Sequence, residues 1–352
     1  MSWLYRRYLS SQCCHMDITV VHALHEEQWR RFVDEHPQGN IFHTPEMSRV
    51  FQQAKGHRPD LWAALDNNNR PLALLLPVRV TVMDGLLAPL TRRSVVYGGP
   101  LCETTSEGVA ALRHLLATYN REGGRGSLLT ELRNQSDTEL FQPVLQQLGY
   151  RYETYENFLV NLNLPVEQVW HSVKKSARKN IRRALNKGQL TIEEVQERGQ
   201  IATWYSLLQR TYHKAHVPLA DISLFCSAFD TLYPRRMIQF LWGRVDNTYV
   251  AASVALLYKG VIYGWYRGFD RRYASYLPND LMVWHLLEWG AGNGYHHFDF
   301  GGAGRPDEKY GPREFKAKFG GELVEFGRNI CVHSKLRFRM SQLGYRLYRQ
   351  FL

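Results

Sequence analysis

Residues Phe298–Gly321, FDFGGAGRPDEKYGPREFKAKFGG, gather more chemistry-bearing side chains than any other stretch of the chain. Two glycine pairs, Gly301-Gly302 and Gly320-Gly321, bracket Lys316 and Lys318. Asp299 stands just ahead, and Phe298, Tyr310, Phe315 and Phe319 lie within. Paired glycines let a backbone turn sharply or lie against a ligand. A loop cannot easily bury so many rings, so a ligand or a covering element is implied. The plain alternative is a hairpin connection carrying ordinary surface lysines. Familiar nucleophile and phosphate-loop signatures do not occur: there is no GxSxG and no GxxxxGK(S/T). Gly264, Gly268, Gly301 and Gly302 do not form GxGxxG. His285, His296 and His297 lack metal-ligand spacing, so no metal site is expected.

A second cluster lies at Trp170–Gly188, WHSVKKSARKNIRRALNKG. Val173, Ala177, Ile181, Ala184 and Leu185 fall on one helical face with Trp170. Lys174, Arg178 and Arg182 run up one flank, and Lys175, Lys179, Arg183 and Lys187 cover the other side. No acid intervenes between Glu167 and Glu193. Like charges at i,i+4 repel by a few tenths of a kcal/mol per pair, so a purely basic face points to an anionic ligand. The pattern says phosphate binding without saying whose. A net charge of +11 and a pI near 9.4 agree, favouring nucleic acid, an acidic membrane surface or a phosphorylated substrate.

The elements that must position these clusters follow from pattern. At 352 residues and 44% hydrophobic content, the chain predicts two domains with real cores. Five cysteines without CxxC spacing suit a reducing cytoplasm. No apolar run approaches a spanning length, and the tail 1–16 lacks a secretion-signal core. Met16 is an alternative start. In the first half, helices are expected at Glu26–Glu35, after Thr44-Pro45, at Ser106–Glu122 and at Asp137–Gln147. Strands are expected at Ile18–Val21, Asp60–Leu65, Pro71–Val82, Val95–Tyr97, Ser127–Leu132 and Tyr155–Leu162. The second half predicts one helix over Glu167–Asn186, two more at Ile201–His213 and Ser223–Leu232, and a strand at Thr191–Val195. A meander follows at Arg236–Val245, Thr248–Tyr258 and Val261–Phe269, its turns at Asp246-Asn247 and Lys259-Gly260. A buried helix Asn279–Gly292 leads to the strand Tyr295–Phe300, and Leu323–Val332 is a last strand. The class is α+β, or mixed α/β.

Three of these segments together resemble the FemABX peptidyltransferase family, within the wider GNAT acyltransferase superfamily. They are Lys174–Gly188, Tyr263–Gly290 (YGWYRGFDRRYASYLPNDLMVWHLLEWG) and Phe298–Gly321. In the first half, NIFHTPEM and VVYGGP are similar to the family's substrate-facing elements. The resemblance implies two GNAT-like domains, 17–164 and 165–334, with a C-terminal helix 335–352 packing back on the first. It implies transfer of an amino acid from aminoacyl-tRNA to an amine of a peptidoglycan-precursor stem peptide. The precursor would be UDP- or lipid-linked, and no cofactor would be needed. Carried over residue by residue, Phe315 and Lys316 are the reactive pair, the ammonium stabilising an oxyanion. Tyr97, Lys214 and Tyr266 match precursor-binding positions, with Asp299 and Tyr310 as further substrate-binding residues. The basic residues Lys174, Lys175, Arg178, Lys179, Arg182 and Arg183 would meet tRNA or precursor phosphates.

Two departures stand out. The long charged helical hairpin that many members insert has no room here. The alternative donor, acyl-CoA, would call for a (Q/R)xxGx(G/A) loop, which Arg267-Gly268-Phe269-Asp270 does not supply. Three readings remain open: the aminoacyltransferase, a CoA-dependent N-acyltransferase in envelope or polysaccharide synthesis, and a non-catalytic module binding RNA or anionic lipid. A cytoplasmic monomer, with peripheral contact at the membrane surface, is the expected setting.

Overall fold

The computed structural model describes residues 17–81 and 88–341. The expected tail 1–16 and the expected helix from residue 342 onward lie outside the described residues, as does Val82 at the end of an expected strand.

Local chemistry starts the elements where the sequence places them. Thr44 caps the helix Pro45–Gln53 by accepting the Met47 N–H at 3.2 Å, and Thr105 does the same for Ser106–Glu122 through Gly108. The described residues form three sheets. One of four strands runs Thr19–Val21, Trp62–Leu65, Pro71–Leu75, Leu101–Cys102. One of six runs His57–Pro59, Pro77–Val80, Arg93–Gly98, Leu129–Asn134, Arg328–Val332, Arg151–Glu153. One of seven runs Leu190–Glu194, Ile238–Val245, Thr248–Tyr258, Val261–Phe269, His297–Gly304, Glu156–Asn161, Glu322–Glu325. Antiparallel pairing dominates, and the mixed α+β class is as the sequence predicts. Each half holds one parallel pair joined through a helix. Arg93–Gly98 pairs with Leu129–Asn134 through Ser106–Glu122, and Val261–Phe269 with His297–Gly304 through Pro278–Gly292.

The expected boundary at Pro165 does not separate the sheets. Glu156–Asn161, ahead of it, lies inside the seven-stranded sheet, and Arg328–Val332, far beyond it, lies inside the six-stranded one. The single strand expected over Leu323–Val332 is therefore two, Glu322–Glu325 and Arg328–Val332. Gly327, at φ +65°, turns the chain from one sheet to the other, and a Cβ there would fall 2.3 Å from the Tyr152 ring.

The single helix expected over Glu167–Asn186 is also two, Val166–Ser172 and Lys175–Lys187. Val173 is extended and buried at the break, and the Lys174 N–H leaves the helix to bond the Lys318 carbonyl at 2.8 Å. The loop expected after Gly302 is largely ordered: the strand continues to Gly304, and a short helix Gly311–Lys316 leads into a 3₁₀ turn, Ala317–Phe319.

Two cores flank the seven-stranded sheet. Helix Pro278–Gly292 and the apolar face of Lys175–Lys187 cover one side. Helices Ile201–Lys214 and Ile222–Leu232 cover the other, where Met47, Val50 and Phe51 from the first half pack among Leu224, Phe225 and Ala228. The two halves thus share one apolar cluster.

Candidate active site

The second parallel pair builds the site. Val261–Phe269 and His297–Gly304 stay in register only over Val261–His297, Ile262–Phe298 and Tyr263–Asp299. Beyond that the strands part, and a slot of about 430 Å³ opens at Gly264. Arg267, Tyr212, Ser253, Asn279, Phe298, Phe300, Phe315 and Lys316 line it.

The short helix after the glycine pair carries Lys316 into this slot. Its Nζ donates to the carbonyls of Phe300 at 2.8 Å, Gly301 at 3.0 Å and Gly302 at 2.9 Å. Burial pulls its pKa down to about 7, nearby Arg267 adds to the fall, and Asp299 opposes it. Three carbonyl acceptors match the three protons of an ammonium and leave a neutral amine one donor short. The geometry is therefore built for the charged form.

Phe315 lies between two cations, with the Arg267 guanidinium 5.1 Å from its centroid and Lys318 Nζ at 6.0 Å. Burial brings Arg267 down to about 10, with Tyr212 and Asp280 acting in the other direction. Lys318 is thus a half-buried neighbour of Phe315 and of the basic helix rather than an ordinary surface charge.

Asp299 sits beneath the turn, 5% exposed. Its Oδ1 accepts from Asn157 Nδ2 and from the Gly301 N–H, both at 2.7 Å, and burial raises its pKa. It holds the glycine turn in place instead of facing the slot. Tyr310 is exposed immediately ahead of Gly311 and Pro312 on the slot's rim, its ring beside Gly304.

A second cavity, of about 300 Å³, lies between the halves. Tyr97, Arg133, Asn134, Tyr155, Tyr263, Gly301, Gly302 and Arg328 line it. Tyr97 stacks on Phe42 and Phe51, at 5.6 and 5.3 Å between centroids, with the Arg133 guanidinium 5.3 Å over it. Next to Phe42, buried His43 places Nε2 3.0 Å from the Gly99 carbonyl, while its Nδ1 accepts the Asn40 N–H at 3.3 Å. Burial lowers its pKa to about 4, and those two bonds define a neutral ring with the proton on Nε2.

Trp265 and Tyr266 line both cavities. Gly301 and Gly302 line the cleft, while their carbonyls bond Lys316 in the slot. The wall between the two spaces is thus one strand edge with no side chain at 301 or 302.

Lys214 departs from the expected site. It is exposed at the end of Ile201–Lys214, in a surface groove with Arg210, Asp270, Arg271 and Arg272. Neither Tyr97 nor Tyr266 lines that groove, which meets the slot through Thr211 and Phe269, lining both. The basic residues behave as expected in one respect. Lys175, Arg178, Lys179, Arg182, Arg183 and Lys187 share a solvent-facing groove, with Arg182 5.4 Å over Trp170. Lys174 caps the helix start beside the Lys316 segment. Arg133, Tyr155 and Arg328 escape sequence reading because two separate strands and a loop bring them together in the cleft, and Arg267 reaches the slot from a third strand. For Arg267, the neighbouring Tyr-Gly-Trp-Tyr alternation is the available signal.

Residues 171–316, the segment containing slot and lysine, match the family described as "Acetyltransferase (GNAT) domain". The chain has a GNAT-like fold. Its whole fold superposes on that of FemX with a TM-score of 0.70 at 15% identity, covering 92% of this chain and 99% of FemX. L-PGS from Bacillus licheniformis aligns with a TM-score of 0.57 at 15% identity, covering 91% and 96% of the two chains. A tandem GNAT protein of the clavulanic acid biosynthesis pathway aligns at 0.55 with 10% identity, covering 91% and 99%. No curated protein matches the sequence. The chain's fold is thus GNAT-like, as the sequence predicts. Among its described residues no helix is long and apolar enough to cross a membrane.

Proposed function

We propose that the enzyme moves an amino acid from aminoacyl-tRNA to an amine of a peptidoglycan-precursor stem peptide. The observation that carries this reading is the pair of cavities, slot and cleft, divided by the glycine edge at Gly301-Gly302. Two large substrates can approach from opposite sides and meet where no side chain intervenes. The resemblance to FemABX proteins supplies the substrate classes.

The step balances simply. The acceptor nitrogen attacks the ester carbon, the C–N bond forms, and the bond to the ribose oxygen breaks. The nitrogen loses a proton and the departing oxygen gains one. Negative charge builds on the carbonyl oxygen, and Lys316 and Arg267 provide a positive field around it. All three Lys316 protons are engaged by carbonyls, so the lysine acts first by its charge and by fixing the 300–302 backbone. Direct donation to the oxyanion would require it to release one carbonyl.

An acyl-CoA donor fits less well. Where the strand Val261–Phe269 runs into the helix Pro278–Gly292, the first helical turn holds half-buried Asp280. A carboxylate there opposes a pyrophosphate at that helix start. The donor's phosphates are better matched by the basic helix and by the Arg210–Lys214–Arg271 groove.

The test is transfer of labelled acyl groups to UDP-linked muramyl pentapeptide, with aminoacyl-tRNA and acyl-CoA run in parallel. Transfer from aminoacyl-tRNA, lost in Lys316→Ala, is expected. Transfer from acyl-CoA alone overturns the proposal, and transfer from neither, with polyanion binding intact, favours the non-catalytic module.

A further inference from the structure

The cleft contains a charge arrangement that the reaction chemistry above does not use. Arg133 and Arg328 stand directly opposite each other across an antiparallel strand pair. Like charges in that position destabilise a sheet unless something compensates. Glu131 compensates in part: one of its oxygens takes Arg133 at 3.2 Å and the other takes Arg328 at 2.5 Å. The two arginines hold its pKa at about 2, so the carboxylate is charged and fully committed. Two guanidiniums against one carboxylate leave one positive charge facing the cleft.

Both guanidiniums also lie against aromatic rings. Arg328 lies 3.7 Å over the Tyr155 ring and Arg133 lies 5.3 Å over Tyr97. The buried Nε of Arg133 has no hydrogen-bond partner among the described residues. Opposite them, the exposed glycine at 302 has an ordinary φ, and a Cβ built on it would meet nothing nearer than Arg328 Nη2 at 3.7 Å. Neither backbone strain nor packing calls for glycine there. The missing side chain keeps open the space between Arg328 and the strand edge that Lys316 clamps from the other side.

We infer that Arg133 and Arg328 form a fork that binds an anionic group of the acceptor, a carboxylate or a phosphate, over Gly302. This rests on the reading of the cleft as the acceptor's cavity. Paired guanidiniums are suited to planar two-point recognition of such groups. The fork would set which face of the acceptor, and so which amine, is presented to the slot. Both arginines are therefore positioning residues.

The test is calorimetric binding of two probes to the full chain: UDP-linked muramyl pentapeptide, and citrate as a carboxylate unrelated to cell walls. Arg328→Gln is expected to weaken both by roughly tenfold or more, the scale of a lost charge-assisted hydrogen bond. Gly302→Val, which alters no ion pair, is expected to weaken the muropeptide similarly at an unchanged Tm. Unchanged affinities in a folded Arg328→Gln protein overturn the fork, as does muropeptide binding that both variants leave intact. In that last case the acceptor reading survives. Fork-dependent citrate binding without muropeptide binding keeps the fork and removes the cell-wall acceptor. Binding of neither probe by the wild type overturns both.

Discussion

Replacing Lys316 by methionine keeps an unbranched side chain, one heavy atom shorter, and removes its charge and three donors. Two of the carbonyls it serves, on Phe300 and Gly301, belong to buried residues, while Gly302 is exposed to water. Each buried acceptor left unpaired costs about 1–3 kcal/mol, so a stability loss of roughly 2–6 kcal/mol is expected. Removing a stabilising donor or charge from an oxyanion site slows acyl transfer about a hundred- to a thousandfold. Rate and stability can be separated by pH. With its pKa lowered to about 7, the folded lysine loses its charge as pH rises through 7, whereas in the unfolded chain it stays charged to near 10.5. Between those values the unfolded state binds more protons, so this residue's contribution makes stability rise with pH, and Lys316→Met should abolish that rise. The rate moves oppositely, because the charged form is the useful one. The acceptor amine also titrates, but it does so equally in both proteins. The ratio of wild-type to Lys316→Met single-turnover rates is therefore expected to be flat below pH 7. Above it, the ratio should fall by about tenfold per unit. A ratio near one at every pH, or a large ratio that ignores pH, refutes the charge argument.

Other outcomes follow from the same structure. His43 is buried neutral with a pKa near 4, so the unfolded chain outbinds it for protons between pH 6.5 and 4. Stability should fall as pH drops across that window, by up to about 1.4 kcal/mol per unit, and His43→Gln should flatten this part of the slope in denaturant titrations. Gly320→Ala places a methyl 2.3 Å from the Ser172 carbonyl at a φ of +77°. It should destabilise the fold by about 2 kcal/mol or more, read as a lowered midpoint in urea. Replacing Arg178 and Arg182 together by glutamine should reduce the salt dependence of tRNA binding by about one unit of slope for each phosphate these arginines neutralise, measured by filter binding. An unchanged slope places the tRNA elsewhere, the Arg210–Lys214–Arg271 groove being the next surface to test.

Much of the fold was legible because the signals were local. Thr44-Pro45, Ser106–Glu122 and the turns at Asp246-Asn247 and Lys259-Gly260 fix their elements by capping and turn chemistry, and the structure places them within a residue or two. What failed depended on distant interactions. Val173 sits in a strongly helical run, yet core burial and the bond from Lys174 to Lys318 break the helix there. Leu323–Val332 reads as one strand because nothing local shows that its ends belong to different sheets. The site divides in the same way. Phe315 and Lys316 stand out within one glycine-flanked segment, and the structure sets both in the slot. Lys214 lines a groove apart from Tyr97 and Tyr266, a separation that sequence distance does not reveal. Arg133 and Arg328 were invisible because a strand register, not a spacing, makes them neighbours.

The exchange of strands between the sheets has a consequence for how the protein is made. On the ribosome, Leu129–Asn134 emerges early and pairs on one side with Arg93–Gly98, but its other edge waits for Arg328–Val332. At about 5–20 residues per second, the roughly 200 residues in between keep that edge bare for ~10–40 seconds. Arg151–Glu153, whose sole strand neighbour among the described residues is the same late strand, waits with it. A nascent chain in this state offers an open edge to other chains, an aggregation liability for as long as synthesis lasts. The amino-terminal half, cut at Pro165 and expressed alone, would keep that edge bare for its lifetime.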